Sequence, residues 1–175
     1  GCSSGQEAFS IAMTLTDALS VASLRNARIL ATDIDPAMIR KASAARYALE
    51  DLATIPAKMQ QSATRPCAEE PASFEINAPV QRMVSFGALN LMEPWPFKGP
   101  FDAIFCRNVA IYFDHQTQHR LWSRFTALLR EGGFLFIGHS ERVAGPALDS
   151  LQSAGVTTYR KTVAPAPTTP DRRQE

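Results

Sequence analysis

Short apolar runs that stop on a polar residue alternate along this chain with stretches of helical spacing. That alternation restricts the fold more than any other feature. Arg28 to Ile34 is one such run, Phe101 to Cys106 a second and Phe134 to Gly138 a third. Runs this short and this apolar suit strands buried on both faces of a parallel sheet. Ser10 to Ala22 carries Ile11, Leu15, Ala18 and Leu19 at helical spacing. Ala37 to Arg46 reads as a helix behind Pro36, a residue tolerated in a first helical turn. Leu49 to Gln61 has a weaker helical pattern, and Thr117 to Leu129 is an amphipathic helix stopped near Gly132-Gly133. Further strands are expected at Phe74 to Asn77, Gln81 to Phe86 and Gly155 to Arg160. Pro66 and Pro71 mark Thr64 to Ala72 as a loop. Strands alternating with helices give an α/β domain with a largely parallel sheet. Ligands in such sheets sit beyond the carboxyl ends of the strands.

Charge and composition narrow the function. A net charge of +1 over 175 residues lacks the basic excess that a nucleic-acid surface requires. No apolar run approaches the roughly 20 residues that span a bilayer. Cys2, Cys67 and Cys106 are an odd number at unrelated spacings and read as free thiols in a reducing compartment. A cytoplasmic location is expected. Ala164 to Glu175 turns to Pro, Thr and charge and is expected to be a disordered tail. The chain opens directly on Gly1-Cys2-Ser3-Ser4-Gly5. A buried strand normally feeds such a loop, so the sequence is expected to be a piece that begins just after its first strand.

Two features form a cofactor side. The glycine loop ends at Gly5 and leads into a helix, and Asp33 ends the next strand. A loop with little side chain lets a nucleoside approach the backbone. An acid at the tip of the second strand can accept hydrogen bonds from both ribose hydroxyls. The competing readings are an ordinary tight turn for Gly1 and Gly5 and a helix cap for Asp33. The cap is assigned instead to Asp35, which directly precedes Pro36. Charge separates two cofactor classes. An acid at the helix start repels a pyrophosphate, and Gln6-Glu7 occupies that start. S-adenosylmethionine carries a sulfonium and an ammonium, both positive, and a carboxylate at Glu7 suits it. Glu7 could equally complement the helix dipole alone.

Five segments together resemble the CheR-type chemotaxis receptor methyltransferases. They are Gly1 to Met13, Ala31-Thr32-Asp33-Ile34-Asp35, Asn90-Leu91, the long block Phe101 to Asp114 around Cys106-Arg107-Asn108, and Gly138-His139-Ser140-Glu141. The likeness runs in order from Gly1 to about Arg160. It implies a Rossmann-like, S-adenosylmethionine-dependent methyltransferase sheet with a small β-subdomain inserted at about residues 53–86, the catalytic domain spanning 1–163. It implies that Glu7, Asp33, Asn90, Leu91, Arg107 and Asn108 contact the cofactor. Asp33 would hold the ribose, Asn90 and Leu91 would border the adenine, and Arg107 and Asn108 would line the mouth near the sulfonium. Tyr112 is implied near the methyl-transfer point, where plain aromatic packing beside Ile111 and Phe113 is the alternative. Gln6 and Ala8-Phe9 depart mildly from the family pattern. Family members also carry a helical domain ahead of the position of Gly1.

The implied reaction moves a methyl group from S-adenosylmethionine to glutamate side chains of a chemotaxis receptor, leaving S-adenosylhomocysteine. Such transfer is a direct displacement. A glutamate with an ordinary pKa of about 4.3 is already ionised at pH 7, so no general base is needed. Tyr112 and Arg107 are the candidates to orient it. The partner is the receptor's cytoplasmic domain, with neither nucleic acid nor membrane insertion, and a monomer is expected. A cofactor-binding remnant without turnover and a methyltransferase for a small acid remain as alternatives. His139 in Gly-His-Ser-Glu reads as structural. His115 and His119 have the spacing of a metal pair but lack an evident third ligand, so no metal is expected.

Overall fold

The computed structural model describes residues 1–162. The expected tail from Ala164 lies outside them. The chain divides into two compact units, Gly1–Glu93 and Pro94 onward. No helix is long and apolar enough to cross a membrane among the described residues.

In the first unit, helix α1 (Gln6–Ala18) starts directly at Gly5. That is four residues earlier than the apolar spacing suggests, because the polar Gln6-Glu7 turn is helical too. A short helix α2 (Val21–Leu24) follows, capped by Ser20. Strand β1 (Ile29–Asp33) leads to α3 (Pro36–Ala44), whose N-cap Asp35 accepts from Ala37 N at 2.7 Å. Ala45 leaves the helix in the left-handed conformation, at φ 52°. The end of the expected helix is therefore a strand, β2 (Arg46–Ala48). The expected helix over Leu49–Gln61 is split as well. Leu49–Thr54 is a 3₁₀ turn, and α4 (Ala57–Ala63) begins behind Pro56, which has no N–H to continue a helical ladder.

Strand β3 (Thr64–Pro66) replaces part of the expected loop and pairs antiparallel with β4 (Ser73–Ile76), which also pairs with β2. The result is a three-stranded antiparallel sheet in the order β2-β4-β3. Helix α5 (Ala78–Gln81) takes the start of an expected strand, because Asn77 caps it and Pro79 sits in its first turn. Strand β5 (Val84–Ala88) then pairs parallel with β1, Asp33 lying opposite Ala88. Phe9, Met13, Tyr47, Phe74, Ile76 and Val80 form the buried cluster between helices and sheets, with Phe9 packed edge-on against both Tyr47 and Phe86.

In the second unit, β6 (Phe101–Cys106) ends at a 3₁₀ turn, Ala110–Tyr112. Helix α6 (His115–Leu128) follows, its N-cap Asp114 accepting from Thr117 N at 2.8 Å. Strand β7 (Leu129–Ile137) pairs parallel with β6, and its other edge carries the antiparallel strands β9 (Thr158–Lys161) and β8 (Leu151–Gly155). Strand β7 starts earlier than expected because its glycines permit a tight approach. A Cβ on Gly133 would lie 2.9 Å from Arg130 O and 3.0 Å from Asp102 O. Leu121, Trp122, Leu135 and Ile137 are fully buried here.

Candidate functional site

Asp33 stands at the carboxyl end of β1, and the glycine loop closes on it. Gly1 N and Cys2 N both donate to Thr32 O, at 2.7 and 2.8 Å. Ser3 N donates to Asp33 Oδ2 at 2.7 Å, and Asp35 N donates to Oδ1 at 3.0 Å. Partial burial pushes the Asp33 carboxyl up, but the N–H groups of Asp35 and Ser3 outweigh it and hold it below its ordinary value. Each carboxylate oxygen has about two lone pairs and spends one on the backbone. Acceptor capacity for a pair of hydroxyls therefore remains on both.

The loop's shape depends on Gly5. Its φ is 90°, and a Cβ there would lie 2.9 Å from Ala42 Cβ and 3.1 Å from Tyr47 Oη. Tyr47 donates its buried hydroxyl to Ser4 O at 2.8 Å, and desolvation raises its pKa well above the ordinary phenol value. Nothing in the sequence marks Tyr47 for this, since its partner lies in a distant turn. Glu7 is in the first turn of α1, half-buried, two residues past Gly5.

Asn90 and Leu91 follow β5, both half-buried. Leu89 N donates to Asp33 O at 2.9 Å, bringing this loop to the same strand end as Asp33. Asn90 Oδ1 accepts from Met92 N at 2.9 Å, while its Nδ2 donates to Glu93 Oε1 at 3.2 Å. Glu7, Asp33, Asn90 and Leu91 thus all belong to the first unit.

Arg107, Asn108 and Tyr112 belong to the second, on the turn that leaves β6. Arg107 and Asn108 are exposed. Tyr112 is 81% exposed, so it is not the half-buried packing residue that its apolar neighbours suggest. Asn108 has φ 58°, a left-handed conformation that asparagine tolerates. Beneath the turn lies Glu141, 4% exposed. Its Oε2 accepts from Asn108 N at 3.0 Å and Gly138 N at 2.5 Å. Its Oε1 accepts from Val109 N at 2.9 Å and Ala110 N at 2.7 Å. Sequence alone gives little reason to single out this acid from Gly138-His139-Ser140-Glu141. The available signal is the glycine. A Cβ on Gly138 would lie 2.8 Å from Glu141 Oε2 and 2.9 Å from Asn108 N.

His139 and Ser140 are exposed. His119 packs beside Gly145, where a Cβ would lie 2.8 Å from its Cγ. No three His, Cys, Asp or Glu residues are grouped to hold a metal among the described residues. The three cysteines are unbridged.

Residues 1–160 match the family described as CheR methyltransferase, SAM binding domain. The chain belongs to the CheR methyltransferase family. A probable chemotaxis protein methyltransferase of Rhizobium etli is 46% identical over 161 residues, covering 91% of this chain and 60% of that protein. The chemotaxis protein methyltransferase of Klebsiella aerogenes is 42% identical over 159 residues, covering 90% and 54%, and that of Escherichia coli 41% over 141 residues, covering 79% and 49%. The chain therefore spans about half to three-fifths of the length of these curated relatives. It is the S-adenosylmethionine-binding domain of a CheR methyltransferase. The groups present fit that cofactor. Asp33 offers an ionised acceptor pair at a strand tip, and the glycine loop beside it leaves backbone accessible. Glu7 adds negative rather than positive charge at the helix start.

Proposed function

We propose that the full-length protein is a protein-glutamate O-methyltransferase of the cytoplasm, esterifying glutamates on the cytoplasmic domain of a chemotaxis receptor. S-adenosylmethionine, when bound, supplies an electrophilic methyl group on its sulfonium. Asp33 accepts from the ribose hydroxyls, Asn90 and Leu91 border the adenine, and Glu7 balances the cofactor's positive groups. Arg107 and Asn108 line the mouth, and Arg107 with Tyr112 orients the incoming carboxylate.

The observation that carries this reading is the composition and fixing of the acceptor-side turn. Arg107 to Tyr112 holds a cation and a phenol but neither carboxylate nor imidazole. Two acids beside it in the same unit are engaged, Asp114 as the cap of α6 and Glu141 with four N–H groups. An acceptor that must lose a proton is poorly served there. A carboxylate already ionised at neutral pH is well served. The protein's part is alignment and exclusion of water, worth up to roughly 7–11 kcal/mol when orientation is good.

The test uses methyl-labelled cofactor, the full-length protein and receptor cytoplasmic fragments. Label should enter the receptor and leave as methanol in mild alkali. Alkali-stable label would remove ester chemistry. Label confined to small acids would favour a small-molecule methyltransferase, and cofactor binding without transfer would favour a regulatory remnant.

A further inference from the structure

The carboxylate of Glu141 sits in a backbone concavity that the turn itself creates. Asn108 is left-handed, at φ 58°, and Val109 is in the right-handed helical region, at φ −117° and ψ −46°. Successive residues of opposite hand point their N–H groups to one side and make a nest for an anion. Here the N–H groups of Asn108, Val109 and Ala110 converge on Glu141, and Gly138 N adds a fourth donor from the end of the neighbouring strand β7. The anion is therefore internal. It joins the carboxyl ends of two parallel strands, and it fixes the turn that carries Arg107 and Tyr112.

Two residue choices follow from that joint. Gly138 leaves the space that the carboxylate occupies, since its Cβ would lie 2.8 Å from Oε2. Asn108 accepts the left-handed backbone that aims the three N–H groups inward. Without an anion those donors would be buried and unpaired, at the cost of desolvation. The turn would then relax toward water, and the groups on its outer side would move with it.

We propose that Glu141 is the positioning residue of the acceptor-side turn. Its carboxylate fills the nest at Asn108–Ala110, ties it to Gly138, and thereby sets the place of Arg107 and Tyr112. It touches no reacting atom. This rests on the function proposed above for Arg107 and Tyr112, but the joint itself can be measured without any reaction.

The substitution to make is Glu141→Gln in the full-length protein. Size is kept, but one acceptor oxygen becomes an NH₂ that faces N–H groups. Hydrogen exchange followed by mass spectrometry should show the amides of residues 108–110 opening about tenfold faster or more, with β6 and β7 keeping their protection. At a temperature where variant and wild type are both folded, kcat at saturating cofactor and receptor should fall about a hundredfold, the size of loss that a misplacement of about 1 Å can cause. Glu141→Asp keeps the charge on a shorter stem and should fall between the two. It also replaces the Gln variant should that one not fold. Unchanged exchange at 108–110 overturns the proposal, and so does a kcat within about twofold of wild type. If the wild-type protein transfers no methyl group to the receptor, the functional reading fails separately. Exchange at 108–110 then still decides whether Glu141 holds the turn.

Discussion

Ser3 donates its backbone N–H to Asp33 Oδ2 at 2.7 Å, tying the glycine loop to the tip of β1. The carboxylate that shapes the loop is the one proposed above to hold the ribose of the cofactor. Asp33→Ala should weaken S-adenosylhomocysteine binding by about 1.5–3 kcal/mol, the usual cost of losing a charged hydrogen-bond acceptor. Titration calorimetry on the full-length protein checks this, and an unchanged affinity would take Asp33 out of the site.

The same bonds make stability depend on pH in a defined direction. The Asp33 pKa is lowered in the folded state from the 3.8 of a free side chain. Its contribution is then fully present above the unfolded value and is lost as pH falls through the folded one. The stability difference between wild type and Asp33→Asn should hold from neutral pH down to about pH 4 and shrink below it. Urea melts across that range supply the measurement. A difference that grows on acidification would contradict the assignment.

Gly5 offers a test that needs no ligand. Gly5→Ala must place a Cβ 2.9 Å from Ala42 Cβ while keeping φ at 90°. The strain and overlap should destabilise the domain by about 1–3 kcal/mol. Gly87 in β5 is the control, since a Cβ there meets nothing within 4 Å. Gly87→Ala should stay within about 0.5 kcal/mol of wild type. Equal effects in the two variants would show that the loop adapts around Gly5.

How far the sequence could be read depended on where each signal is stored. That Asp33, Arg107 and Asn108 stand at strand ends was legible because Asp33 closes one short apolar run and Arg107 and Asn108 follow another. Asp35 was legible because a cap acts on the residues beside it. Strand β3 was not, because Thr64-Arg65-Pro66 has no apolar pattern and its strand character comes from pairing with β4. Strand β8 was missed for a similar reason, as only Leu151 of its five residues is buried. Gln81 reads as the start of a strand, yet the Asn77 cap and Pro79 make it the end of a helix. Glu141 and Tyr47 act on backbone atoms 31 to 43 residues away in the chain, and no local pattern announces such a bond.

Tyr112 separates a role in the reaction from a role in the fold. The ring is 81% exposed, so removing its hydroxyl takes nothing out of the core, and Tyr112→Phe should melt as the wild type does. Its hydroxyl is not among the groups proposed to hold the cofactor, and S-adenosylhomocysteine affinity should be nearly unchanged. A hydrogen bond from the phenol to a charged carboxylate is worth about 1.5–3 kcal/mol. If that bond orients the acceptor, kcat should fall about ten- to a hundredfold. Steady-state transfer of label to receptor fragments, with melts and calorimetry on the same samples, gives all three readings. A slower rate with stability and affinity intact places the hydroxyl on the acceptor. A rate equal to wild type would remove Tyr112 from the acceptor side and leave Arg107 as the group that meets the carboxylate.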